Sequence, residues 1–371
     1  MADWKRLLHR FADELDDQFD ERRIHFPGHD PDSPAEVICY RSFGTRDVLS
    51  IRGRLMARKL IVRGEKPATV WRNVLSMVRR LDTDELPHQP VQAAFQSNLA
   101  AGKTDDEGYF DLTMALSTAA GEGWHEVTVT HALSNSAGPP RSIESIAPVL
   151  VPPADAEFGV ISDLDDTVVK TNVHDLTEMV RTVVLNGAAQ RLPFDGVAQF
   201  YQILQKGSDG TRSNPIFYLS GGPWNLYDLY ADFLDLQKVP RGPILLGDFG
   251  LDDKKLLRLH HNDHKLVHIR IILTTYPEMK FVLIGDSGEH DPEIYAEAAR
   301  EFPGRITAIY IRKSVAAFSD QRRQQVVDLC SGTGAAVIFA ETTEEMERDA
   351  ASRALIQNSG PAGSSAQGAK Q

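Results

Sequence analysis

The sequence predicts an α/β protein, a doubly wound parallel sheet preceded by a small all-β, sandwich-like domain. Three observations predict it. Residues 35–150 contain short segments that alternate apolar and polar side chains, as half-buried antiparallel strands do. Beyond residue 150, short uninterrupted apolar runs are separated by helix-length stretches, the pattern of strands covered on both faces. Between the two regions, Pro148 and Pro152-Pro153 break the chain and mark a linker. At 371 residues the chain has material for two such cores.

Taken in order, the opening residues 1–34 read as one amphipathic helix and a linker. Trp4, Leu7, Leu8, Phe11 and Leu15 recur at helical spacing and form a single apolar stripe. Docking of that stripe on the protein itself is the plainer reading. Contact with a membrane surface is the other, opposed by Asp13-Glu14 and Asp16-Asp17. In the β-region, residues 35–150, strands are expected at Val48–Arg52 and Val127–Thr130. The acidic turn Thr104 to Gly108 leads into an aromatic strand start at Tyr109-Phe110, and Trp71–Leu81 has a helical pattern.

Residues 151–345 form the α/β region. Buried strands are expected at Phe158–Ser162, Ile216–Leu219, Ile244–Leu246, Phe281–Ile284 and Ile306–Ile311, with short helices at Asp175–Leu185 and Phe194–Phe200. There is little room for a large separate cap over such a sheet, which leaves its site open to a bulky substrate. Residues 346–371, with Asn358-Ser-Gly-Pro-Ala-Gly-Ser-Ser365, offer little to bury and are expected to be a disordered tail.

Composition removes several functions. A formal charge of −12 opposes a general affinity for nucleic acid, though not a local basic pocket. Cys39 and Cys330, the two cysteines, have neither disulfide-framework nor zinc-ligand spacing, which suits a reducing cytoplasm. Asp3, Arg6 and Arg10 interrupt any signal-peptide core. No run reaches the ~18 uncharged apolar residues of a membrane span, so membrane association is expected to be peripheral at most.

In an open α/β sheet, ligands bind beyond the carboxyl ends of the strands. The first of those strands here runs into Asp163, Asp165, Asp166 and Thr167. The second ends at Ser220, followed by Gly221-Gly222-Pro-Trp-Asn225, and a later one ends at Gly285-Asp286-Ser-Gly-Glu-His-Asp291. Lys265 stands near the start of a helix-like stretch between the last two. Each alone has a plain explanation, in helix capping, turn formation or a solvated lysine. Their occurrence together, in order and at strand ends, is harder to explain that way.

Several carboxylates in one crevice repel one another unless a cation offsets them. Hard oxygen donors suit Mg²⁺ better than zinc. Aspartate is a known nucleophile towards phosphoryl groups, with an ammonium and a hydroxyl available for the non-bridging oxygens. His260, His261, His264 and His268 carry no zincin pattern and read as solvated or rim residues. Trp224, Tyr227 and Tyr230 recur at helical spacing and read first as core, second as lining of a substrate mouth.

These residues resemble the four motifs of the haloacid dehalogenase superfamily over roughly residues 157–315: Asp163-Leu-Asp-Asp-Thr167, Ser220, Lys265, and Gly285-Asp286 through Asp291. That resemblance implies Asp163 as nucleophile, Asp165 as general acid and base, and Ser220 and Lys265 as catalytic partners. It further implies Mg²⁺ held by Asp163, the Asp165 carbonyl and Asp286, with Asp291 helping through water and Glu289 competing for that last role. Thr167, Gly221 and Gly222 are the corresponding substrate-binding candidates. The longer strings Phe158–Thr167, Leu219–Leu226 and Leu283–Asp291, with Tyr40-Arg-Ser-Phe-Gly44 and Ile51-Arg-Gly-Arg54 upstream, are similar to the actin-patch-protein family of phosphatidate phosphatases. Membership would imply Mg²⁺-dependent hydrolysis of phosphatidate to diacylglycerol. A related phosphatase of soluble or protein phosphates, and a non-catalytic partner-binding module, are the competing readings.

Overall fold

The computed structural model describes residues 35–57, 86–133, 141–164, 196–247, 263–288, 290–313 and 318–357. The helices expected at the N-terminus, at Trp71–Leu81 and at Asp175–Leu185 lie outside them.

Among the described residues, the β-region has two sheets. Strands β1 (Ala35–Cys39), β3 (Val48–Ala57) and β6 (Tyr109–Ala115) form an antiparallel sheet in the order β1-β3-β6. The five-stranded sheet has the order β2-β8-β7-β4-β5, from β2 (Ser42–Phe43), β4 (Pro90–Phe95), β5 (Asn98–Lys103), β7 (Gly123–Leu133) and β8 (Arg141–Val151). Leu49, Ile51 and Leu55 of β3 meet Phe110 and Leu112 of β6 and Val127, Val129, Ala147 and Val149 of the larger sheet in one apolar core. Pro148, expected to break the chain, lies inside β8 opposite Glu126. The linker begins only after Val151, because ladder partners hold β8 extended to its end.

The α/β region is a six-stranded sheet ordered β11-β10-β9-β12-β13-β14, every neighbouring pair parallel. Its strands are β9 (Gly159–Asp163), β10 (Ile216–Pro223), β11 (Ile244–Gly247), β12 (Phe281–Asp286), β13 (Ile306–Arg312) and β14 (Ala336–Ala340). Side chains alternate between two cores. Val160, Tyr218 and Ile284 pack on α1 (Val197–Lys206), α2 (Tyr227–Leu236) and α6 (Thr343–Ser352). Ile161, Phe217 and Leu283 pack on α3 (Asp263–Thr275), α4 (Asp291–Glu301) and α5 (Asp320–Cys330). Burial on both faces explains why these strands read as unbroken apolar runs.

Residue 345 does not end the ordered chain. Thr342 caps α6 by accepting the Glu345 amide, and Met346, Ala350 and Ile356 are buried in the first of these cores. Residues 346–357, expected to belong to a disordered tail, are thus held in α6 and the turn that follows it. The apolar spacing of Met346 and Ala350 is one helical turn, which suffices to bury one face of an otherwise charged helix.

The two regions share their cores. Along β1, Val37 faces the sandwich interior, whereas Ile38 and then Tyr40 face α2 and the sheet of the α/β region. The Arg41 amide donates to the Tyr227 hydroxyl at 2.6 Å, and the Arg41 guanidinium pairs with Asp235 at 2.6 Å. On the other face, Phe43 packs against Phe217 and Tyr276, whose hydroxyl donates to the Gly44 carbonyl. The strand period of two thus lets β1 serve both interiors at once.

Candidate active site

The chain crosses β9, β10 and β11 in one direction, then returns to β12 on the other side of β9. That reversal leaves a crevice beyond the carboxyl ends of β9 and its neighbours, where open α/β sheets bind ligands. Asp163 is the last residue of β9, in register with Leu219, so Ser220 follows one step beyond it on β10. Asp286 ends β12 on the opposite side.

Asp163, Asp286 and Asp291 are all fully buried, and one carboxylate oxygen from each lies within 4.8 Å of the others. Lys265, near the start of α3, places its Nζ 2.7 Å from Asp163 Oδ1 and 2.7 Å from Asp291 Oδ1. Three carboxylates against one ammonium leave a formal surplus of two negative charges in this group. Buried carboxylates at that spacing are compatible only with added positive charge or with protonation. The oxygen-only donor set and the size of the surplus fit a hard divalent cation such as Mg²⁺.

Local structure explains how these groups converge. Asp291 opens α4, with Pro292 behind it in the first turn, where helix amides favour a carboxylate. Gly285 lets Asp291 approach β12: a Cβ there would stand 2.5 Å from Asp291 Oδ2 and 2.8 Å from the Tyr295 ring. The Asp286 carboxylate accepts the Gly288 amide, which tightens the turn after β12. Ser220 Oγ accepts the Gly222 amide at 2.9 Å and donates to the Tyr230 hydroxyl at 3.1 Å. Gly221 is exposed beside it.

Of the residues singled out in the sequence, the structure gathers Asp163, Lys265, Asp286 and Asp291 into one buried group, with Ser220 on the adjoining strand. Asp165, Asp166, Thr167 and Glu289 lie outside the described residues, as do His260 and His261. Trp224, Tyr227 and Tyr230 are buried core residues. His268 is buried as well, its Nε2–H donating to the Leu246 carbonyl at 3.2 Å. Burial, helped by the nearby Arg52 charge, pushes its pKa down to about 4, so its ring is neutral at physiological pH.

Sequence reading missed the support beneath Asp163. Ser162 Oγ donates to the Asp163 carbonyl at 2.8 Å and shares a 2.5 Å hydrogen bond with the Tyr201 hydroxyl of α1. A serine inside an otherwise apolar strand was the available signal, since a buried hydroxyl needs partners.

Residues 158–313 match the family described as "Phosphatidate phosphatase APP1, catalytic domain". The chain is 36% identical over 164 residues to the phosphatidate phosphatase APP1 of Saccharomyces cerevisiae, covering 44% of this chain and 27% of the yeast protein. It is 27% identical over 252 residues to an uncharacterised protein of Schizosaccharomyces pombe, covering 67% of this chain and 39% of that protein. The chain thus spans well under half the length of these relatives. Among solved structures, a carbohydrate acetylesterase from Xanthomonas citri aligns with 82% of this chain and 68% of its own at 9% identity, with a TM-score of 0.29, too low to carry an argument.

Proposed function

We propose, from the premise that residues 158–313 belong to the APP1-type phosphatidate phosphatase family, that this chain is a Mg²⁺-dependent phosphomonoester hydrolase acting on phosphatidate. The observation that carries the reading is the buried group of Asp163, Asp286 and Asp291 with Lys265 at the sheet's switch point. When bound there, Mg²⁺ would neutralise the surplus charge and draw in the anionic phosphoryl group. Asp163 and Asp286, together with the Asp165 carbonyl, would hold it, Asp291 assisting.

In this proposal an Asp163 carboxylate oxygen attacks phosphorus, and the bond from phosphorus to the lipid oxygen breaks. Asp165 gives its proton to the departing alkoxide, then takes one from the water that cleaves the aspartyl-phosphate. The products are diacylglycerol, inorganic phosphate and regenerated Asp163. Lys265 and the Ser220 hydroxyl serve the non-bridging oxygens. Thr167, Gly221 and Gly222 line the phosphoryl approach.

Phosphate release with Mg²⁺ present, from phosphatidate, lysophosphatidate, sugar phosphates and phosphopeptides, tests the reading. Turnover of phosphatidate that EDTA abolishes is the expected result. Turnover confined to soluble esters would move the assignment to a phosphatase of soluble or protein phosphates.

A further inference from the structure

Trp224 occupies an unusual position for a core aromatic. It follows Ser220 by four residues, at most about 14 Å of chain, and it is 3% exposed. Its ring stacks on Tyr40 at 4.3 Å between centroids, and the Arg52 guanidinium of β3 lies 4.8 Å from the ring centre. Its indole Nε1–H is buried, yet meets no hydrogen-bond acceptor among the described residues. A buried donor is costly to leave unmet, and phenylalanine would supply the same packing without one. Packing therefore accounts for the ring and not for its N–H.

Arg52 also bears on the helix that carries Lys265. Its charge is felt at His268, one helical turn along α3 from Lys265. The cation that lies over the Trp224 ring thus also acts on that helix. A cation and an N–H donor side by side, next to a phosphoryl site, have the chemistry that receives acceptor oxygens.

We infer that Trp224 and Arg52 form a second subsite, shared by the two regions of the chain, that binds ester oxygens of the substrate's leaving alcohol beside the Ser220 phosphoryl site. The inference rests on the function proposed above. A phosphomonoester lacking those oxygens makes no use of the subsite.

The test uses the full chain with Mg²⁺, dioctanoyl phosphatidate and phenyl phosphate. Trp224→Phe keeps an aromatic ring beneath Arg52 and deletes the donor; Arg52→Met deletes the cation. In each, the ratio of KM for dioctanoyl phosphatidate to KM for phenyl phosphate is expected to rise about tenfold, the scale of one lost charged or buried polar contact. An unchanged ratio in both variants, as when the donor meets only water, overturns the inference.

A readout without turnover separates it from the proposed function. In Asp163→Asn, the Trp224 indole N–H resonance, assigned by its loss in Trp224→Phe, is expected to shift when dioctanoyl phosphatidate is added. A shift in a protein whose parent releases no phosphate would keep the subsite and remove the assigned reaction. Turnover by the parent without a shift would do the reverse, and neither would remove both.

Discussion

The ammonium of Lys265, on α3, lies 2.7 Å from the carboxylate of Asp163, at the end of β9, with both groups shut away from solvent. These residues are about a hundred positions apart in the chain, and their pairing offsets the cost of burying either charge. A lone buried charge of either sign would be expelled or neutralised.

Asp163→Asn should abolish phosphate release, by at least about three orders of magnitude, because the amide cannot attack phosphorus. The variant should still fold, since the amide keeps the shape of the side chain and lowers the crowded negative charge. Phosphate release and a circular-dichroism melt, run side by side, check both halves. Substantial residual turnover would refute the nucleophile assignment.

Lys265→Met removes the ammonium that Asp163 and Asp291 share. Urea denaturation in Mg²⁺-free buffer should show a loss of about 3–5 kcal/mol, the scale seen when one partner leaves a buried ion pair. Added Mg²⁺ should recover part of the loss, since a cation bound only by the folded form stabilises it.

Gly285→Ala places a methyl group 2.5 Å from Asp291 Oδ2. Asp291 and Tyr295 must then move, at an expected cost of about 1–3 kcal/mol for overpacking. The informative measurement is the Mg²⁺ concentration that gives half-maximal activity, which should rise. Unchanged Mg²⁺ dependence would separate Asp291 from the cation.

His268 makes stability depend on pH. Its pKa is pushed down to about 4 in the folded chain by burial and then by Arg52, against about 6.5 when unfolded. Between those values the unfolded state binds more protons, so stability falls as pH falls through that window. At pH 5 the loss relative to pH 7 should be about 2 kcal/mol from this group. His268→Gln keeps an N–H for the Leu246 carbonyl and should flatten that part of the profile. Urea midpoints at the two pH values test it.

Much of the sheet was legible in the sequence because burial on both faces writes itself locally, as unbroken apolar runs. Phe281–Ile284 and Ile306–Ile311 fall inside β12 and β13 for that reason. β14 was missed: Ala336–Ala340 is short, only half buried over most of its length, and lies at the sheet edge. Pro148 misled because proline usually ends a strand, yet this one holds its place in β8 through its neighbours' hydrogen bonds.

By itself, the sequence determined which chemical groups follow which apolar runs: Asp163 and Asp286 end β9 and β12, while Ser220, expected to end its strand, stands inside β10, which continues to Pro223. Tertiary structure alone decided that Lys265 is buried between Asp163 and Asp291, when helical spacing equally allowed a solvated lysine. It alone joined the β-region to the α/β region, through Tyr40 and Arg52 on Trp224. The reason is physical. Periodicity records which face of an element is apolar, whereas the partner that face and its charges meet is set by strand order and by contacts between segments far apart in the chain.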